Sequence, residues 1–153
     1  MPETSVGLPV RRAACGHVEG HRVEAPEFVQ LPGPGDVWST VDDLARYLAA
    51  FDNGELLSEQ SRRLATAPHA PMPADTNALG DKLTVEGYGY GYYVGELAGH
   101  PARLHPGDNP GFNVIHVRVP EIDLTIIVLS NQIEADPEAV ATELLAHAVG
   151  KLD

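Results

Sequence analysis

Two segments restrict the fold of this chain more than any others: NVIHVRV, Asn113 to Val119, and LTIIVLSN, Leu124 to Asn131, separated by only the four residues PEID. β-Branched side chains suit a pleated, half-buried surface, and two such runs joined by a short polar connection read as an antiparallel hairpin. LTIIVLSN is apolar on both faces, which predicts a central strand covered by helices on at least one side and not an edge. A helix is predicted to follow over 137–149. Asp136 can cap it, Pro137 suits its first position, and Val140, Leu144, Leu145, Ala148 and Val149 form a packing stripe that stops at Gly150.

Upstream the period changes from two to that of a helix. After Trp38, Ser39 can cap a helix over 39–52, with Asp42 and Asp43 in its first turn and Val41, Leu44, Ala45, Leu48 and Phe51 at helical spacing; Asn53-Gly54 ends it. A shorter helix over 59–66 follows Ser58 and is stopped by Pro68, and the residues from Ala67 to Leu83 suggest a loop. Strands are expected over about 88–96, 102–106, 112–119 and 123–130. The first contains YGYGYYVG, which as a strand has one aromatic face and one nearly bare face that something could approach closely. Residues 1–37, rich in proline, read as an extended arm with one short strand near Ala13 to Val18; residues 38–153 form the folded unit. The fold class expected is α+β, an antiparallel sheet flanked by helices.

At 153 residues the chain has the length of one domain. A net charge of -12 repels phosphate backbones and anionic lipid surfaces, which argues against nucleic acid and membrane as partners. There is no apolar run of membrane-spanning length and no basic start followed by an apolar core near the N-terminus. The lone Cys15 excludes an internal disulfide and a thiolate metal cluster, reads as a small semi-buried apolar residue, and leaves the compartment open. His17, His21, His69, His100, His116 and His147 form no i, i+4 pair and read as surface or semi-buried residues, so neither a metal nor a cofactor is expected.

The stretch LHPGDNPGF, Leu104 to Phe112, sets one histidine among two prolines and two glycines, between strand-like segments. It reads either as a turn with a solvated histidine in it or as one wall of an active site. Tyr88, Tyr90 and Tyr92 line a groove or pack against the loop before them, with packing favoured for two of the three. Asp42 and Asp43 offset a helix dipole rather than forming a catalytic pair.

GPGDVWSTVDDLARYLAAF, GYGYGYYV, HPGDNPGF and VPEIDLTIIVLSN, in that order and with PET near the start, resemble the C-terminal half of the serine β-lactamase and penicillin-binding-protein-like superfamily, especially its class C-like esterases and D-aminopeptidases. The resemblance implies a partial β-lactamase/transpeptidase-like fold, with a site between the sheet and a helical region. His105-Pro106-Gly107 is similar to the family's Lys/His-x-Gly wall. On that likeness His105 is a site-wall residue, Gly107 leaves room for substrate, and Asp108 lends its backbone N–H to an oxyanion hole. Tyr90 and Asn109 are the implied substrate contacts. Pro106, which has no N–H, fits if its strand lies at a sheet edge.

The family's other two motifs are absent. None of Ser5, Ser39, Ser58, Ser61 or Ser130 has Lys three residues later, and there is no Tyr-x-Asn. The resemblance therefore implies a C-terminal portion of a hydrolase acting on an ester, amide or lactam through an acyl-enzyme, inactive by itself. Its expected partner is an absent N-terminal half or a second copy of the chain, with a small-molecule substrate once completed. The other reading is a non-catalytic module that binds a partner protein or itself.

Overall fold

The computed structural model describes residues 2–7, 13–23, 33, 35–72 and 83–150. Ten strands and three α-helices follow one another along them: β1 (Ser5–Val6), β2 (Gly16–Val18), β3 (His21–Val23), β4 (Val37–Trp38), α1 (Val41–Asp52), α2 (Glu59–Ala65), β5 (Ala70–Pro71), β6 (Leu83–Tyr88), β7 (Tyr93–Leu97), β8 (His100–Asn109), β9 (Phe112–Val119), β10 (Leu124–Ser130) and α3 (Pro137–Val149). β5 to β10 build one antiparallel sheet in the order β10-β9-β8-β7-β6-β5, a meander in which every neighbour in sequence is a neighbour in space. The small pairs β1-β4 and β2-β3 belong to the arm. The predicted loop from Ala67 to Leu83 contains β5; its residues 73–82 lie outside the described residues, as do 8–12, 24–32 and 34 of the arm.

The hairpin of β9 and β10 forms as its composition predicts, from Leu124↔Val119 to Ser130↔Asn113. Asp123, with φ 51°, and a short 3-10 turn over Pro120–Ile122 close it. One face of the sheet carries Leu104, Ile115, Val117, Val119 and Ile126, all 5% exposed or less, against Ala141 and Leu145 of α3. The expected stripe on α3 is thus rotated. Ala141 and Leu145 point inward, whereas Val140 and Leu144 are exposed, because the sheet meets the face one residue further along the helix. β10 is the terminal strand of this sheet among the described residues, which corrects its reading as a central strand. Its apolar residues reflect cover by helices, which burial on both faces requires, but not a strand neighbour on both edges.

The opposite face receives α1. Thr40, not Ser39, caps α1 by accepting from the Asp43 N–H, while the Ser39 hydroxyl pairs with Thr4. At the far end Asn53 and Gly54, φ +78°, terminate the helix as expected. Phe51 packs with Tyr92 and Ala65, and the Arg103 guanidinium lies over the rings of Phe51 and Tyr92. Asp52, the last residue of α1, accepts from Arg103 and Arg118, which are cross-strand partners on β8 and β9. A single carboxylate so joins helix to sheet where two cations would otherwise repel.

YGYGYYVG is not one strand. Tyr88 ends β6 and Tyr93 begins β7, with Gly89 to Tyr92 turning between them; the Gly89 N–H donates to the Tyr92 carbonyl, and Gly91 takes φ +81°. The segment's bare side is approached closely, as a row of glycines allows, by the chain's own backbone. The Ala65 carbonyl accepts from the Tyr90 N–H, and any Cβ on Gly89 would run into that carbonyl.

Candidate active site

LHPGDNPGF does not interrupt the sheet. β8 runs through it to Asn109, and the turn is confined to Pro110 and Gly111, between the paired residues Asn109 and Phe112. Proline at the first central position and glycine at φ +86° at the second are what a type II turn requires. The strand changes character at Leu104. From His100 up to that residue β8 pairs with β7, and from Arg103 onward it pairs with β9 on the other side; the last β7 pair is Tyr93↔Leu104. From His105 to Asn109 it pairs only with β9 and overhangs β7. Pro106 therefore lies in a local edge within a strand that is otherwise internal, which reconciles a missing N–H with a central position.

Four aromatic residues gather where this edge opens. The Tyr88 ring meets Tyr93 at 4.7 Å, and its hydroxyl lies 3.2 Å from His105 Nε2. Tyr93 lies 5.6 Å from the His105 ring and His116 6.4 Å, between centroids. His105 Nδ1 is 2.6 Å from the Pro106 carbonyl oxygen, to which it donates. Burial raises the Tyr88 phenol above its usual value, with the Tyr93 phenol adding to the shift, so Tyr88 keeps its proton and is a donor. His116 is pushed down to about 4 by burial first, then by repulsion from His105 and Arg103 when they are charged, and is neutral at pH 7.

The other implied site residues are distributed along the same overhang. Gly107 faces Val114 across the β8-β9 ladder; a Cβ there would lie 3.1 Å from Val114 Cγ2, close but without backbone obstruction. Asp108 is exposed, and with burial and Asp136 its charge helps to raise Glu138, near the start of α3. The Asn109 carboxamide packs against Gly35 of the arm, where a Cβ would meet it at 3.2 Å. Tyr90 is separate from this group: it is 67% exposed and stacks on His69 at 4.7 Å. The tyrosine that reaches His105 is Tyr88. A shallow depression of about 260 Å³ lined by Thr66, Glu86, Glu96, Arg103 and Pro120 does not include His105.

The sequence offers Tyr88 only as one of three groove-lining candidates, with Tyr90 preferred, and offers His116 only as a surface or semi-buried residue. For His116 the signal was present. Once Pro110-Gly111 is taken as a two-residue turn, counting back along both strands sets His105 opposite His116. Tyr88 depends on the length of β7, which fixes where β8 loses its neighbour. Among the described residues no group of histidine, cysteine and carboxylate side chains could hold a metal ion.

The arm is tied to this end of the molecule. Asp43, fully buried, accepts from the Glu3 backbone N–H, the Thr4 hydroxyl and the Arg46 guanidinium. Burial alone would raise its carboxyl, but these donors outweigh it and hold it below the usual value. The His17 N–H donates to the carbonyls of Gly111 and Asn131, and Trp38 meets Phe112 edge-on at 5.5 Å. The arm thus braces the turn that ends the overhang.

Solved structures share this fold. The chain is similar to an octameric penicillin-binding protein homologue from Pyrococcus abyssi, with TM-score 0.74 and 24% identity over 90% of this chain and 31% of that one. It is similar to a D-amino acid amidase from Ochrobactrum anthropi SV3 complexed with D-phenylalanine, with TM-score 0.74 and 22% identity over 95% of this chain and 49% of that one. A penicillin-binding protein from Bacillus halodurans matches with TM-score 0.59 and 21% identity over 73% and 32% of the two chains. The chain therefore spans about a third to a half of the length of these neighbours, and at these identities they show the fold alone. No curated protein matches it. The model of the Beta-lactamase family, however, matches residues 1–151, and the chain belongs to that family.

Proposed function

We propose that residues 38–153, braced by the arm of residues 1–37, are the C-terminal portion of a serine hydrolase that cleaves an ester, amide or lactam through an acyl-enzyme, with the overhang of β8 as one wall of its site. The nucleophile and its base come from outside these 153 residues, since no Ser-x-x-Lys or Tyr-x-Asn occurs within them. The observation that carries the reading is the local edge from His105 to Asn109, unpaired by β7 and ending in a turn braced by the arm. N–H groups alternate between the two edges of a strand. Proline is tolerated where its nitrogen faces away from the ladder, so Pro106 turns its nitrogen outward and Asp108, two residues on, aims its N–H at the same open side. An N–H aimed there can stabilise the oxyanion of a tetrahedral intermediate, while Gly107 keeps the strand low enough for a carbonyl to approach. The open edge of β10 is assigned to strands of the rest of the fold, or to a second copy of the chain where that part is lacking.

The test begins with the coding sequence on either side of these residues, searched for an in-frame Ser-x-x-Lys. The 153-residue chain is expected to hydrolyse an aryl ester no faster than buffer and to take up no fluorophosphonate. The longer product is expected to do both, with the label on the serine of that motif. Steady turnover by the 153-residue chain, abolished by the phosphonate, overturns the proposal; absence of any such serine favours a non-catalytic module that associates through β10.

A further inference from the structure

Both ring nitrogens of His105 are already engaged inside the fold. Nδ1 lies 2.6 Å from the Pro106 carbonyl oxygen, and a carbonyl only accepts, so Nδ1 carries a hydrogen. In the neutral ring Nε2 is then the acceptor, and the group facing it at 3.2 Å is the Tyr88 hydroxyl. A histidine held in this way has no free nitrogen for a substrate. The Tyr88 oxygen does have spare capacity, since a phenol donates once and accepts twice, and Tyr88 is only half-buried, at the end of β6.

We propose that Tyr88, rather than His105, presents the polar atom of this wall to the substrate, and that protonation of His105 reverses what Tyr88 offers. With His105 neutral, the phenol hydrogen is committed to Nε2 and Tyr88 can only accept, from a substrate N–H or O–H. With His105 protonated, Nε2–H donates to the Tyr88 oxygen, the phenol hydrogen turns outward, and Tyr88 becomes a donor for a substrate carboxylate or oxyanion. The ligand class that follows is a small molecule with an anionic oxygen, held best when His105 is protonated. Among the described residues, the titratable rings packed around His105 are Tyr88 on β6, Tyr93 on β7 and His116 on β9. Among the described residues no carboxylate forms an ion pair with His105, so its protonation is not already committed to an acid of the fold. This inference rests on the reading of the β8 edge as a substrate wall, but its hydrogen-bond arrangement can be tested without catalysis.

The test is imidazole nitrogen NMR on the 153-residue chain labelled at histidine, with His105 assigned by loss of its signals in His105→Gln. At a pH where the ring is neutral, His105 is expected in the Nδ1–H form, which is the less common one for a solvated imidazole, with Nε2 shifted by an accepted hydrogen bond. Tyr88→Phe keeps the ring against Tyr93 and is expected to move the Nε2 resonance toward that of an open acceptor, leaving the His100 and His21 signals in position. A wild-type His105 in the Nε2–H form overturns the inference without any variant, and so does an Nε2 resonance unchanged in Tyr88→Phe. Benzoate, as a probe carboxylate, is expected to bind more weakly by several-fold to Tyr88→Phe than to wild type at a pH where the nitrogen signals show His105 protonated, and equally where they show it neutral; equal binding at both pH values also overturns the switch. The resonance result does not depend on whether a serine outside the chain is ever found, so failure here is distinct from failure of the hydrolase reading.

Discussion

β8 is two strands in one. From His100 to Leu104 it is paired with β7, joined by β9 on the other side at Arg103 and Leu104, and its inward residues Ala102 and Leu104 are 5% and 0% exposed. From His105 to Asn109 it keeps one neighbour, and every residue is half-buried or exposed. The first half spends its hydrogen bonds and side chains on the core; the second leaves backbone groups and polar atoms unspent, which is where chemistry can be placed. The division is set by the length of β7, whose first residue, Tyr93, pairs with Leu104. An open backbone edge is obtained here by shortening a neighbour, without any need to strain the strand that carries it.

The comparison is broken most severely by Leu104→Ala. Leu104 lies in the cluster with Val117 and Leu145 and has no exposure, so removing three carbons leaves a cavity that a sheet fixed on both sides cannot collapse into. The expected loss is about 3 kcal/mol, within the range of roughly 2–5 for buried Leu→Ala changes. Urea unfolding checks it by a fall in midpoint at constant slope. A loss below about 1 kcal/mol would mean that β8 where it is doubly paired, at Leu104, is no more rigid than the overhang.

Much of the fold was legible because local chemistry and tertiary demand agree. Ser58, Asp136 and Pro137 start helices, Asn53-Gly54 and Gly150 end them, and β-branched runs pair as β9 and β10. The misreadings fall where a feature of the sequence has two physical uses. Alternating glycines in YGYGYYVG serve a close backbone approach and a turn equally well, and only the contact with Ala65 decides. Proline and glycine in HPGDNPGF suggested interruption, but one proline sits on a local edge and the other in the turn, so the strand survives. The likeness of His105-Pro106-Gly107 to the family's wall motif was legible in the sequence, and the structure places all three residues on the overhang of β8. Tyr88 was not resolved from Tyr90 because two residues separate a side chain that faces the overhang from one on the hairpin tip, a difference that depends on strand ends, which no local propensity fixes.

A smaller effect comes from the histidine beside the overhang. His116 falls from 6.5 to about 4 on folding, so between these values the unfolded chain binds a proton that the folded one does not. A depressed histidine leaves stability intact above about 6.5 and removes it as pH falls toward 4. At 1.36 kcal/mol per pH unit, and allowing for partial exposure, the loss is about 2 to 3 kcal/mol. His116→Gln removes this titration. Stability measured against pH is therefore expected to fall less steeply in the variant than in wild type between those limits, and parallel curves would show that His116 is solvated in the folded state.

The smallest effect on stability is expected at Gly107, and it sharpens the comparison most. Its φ lies outside the left-handed region, so alanine meets no backbone strain, and the one close atom is Val114 Cγ2 at 3.1 Å, the end of a half-buried side chain that can give by a few tenths of an ångström. Gly107→Ala should therefore change stability by less than about 1 kcal/mol, since the small steric cost is offset by the reduced entropy of the unfolded chain. The contrast with Leu104, three residues earlier on the same strand, is the point of the experiment. If the overhang is a substrate wall, the added methyl narrows the approach to the Asp108 N–H, and fluorophosphonate labelling of the completed hydrolase should slow by an order of magnitude or more while the melting temperature stays within a few degrees. If instead Gly107→Ala unfolds the chain as Leu104→Ala does, the overhang is part of the core and the two halves of β8 are one.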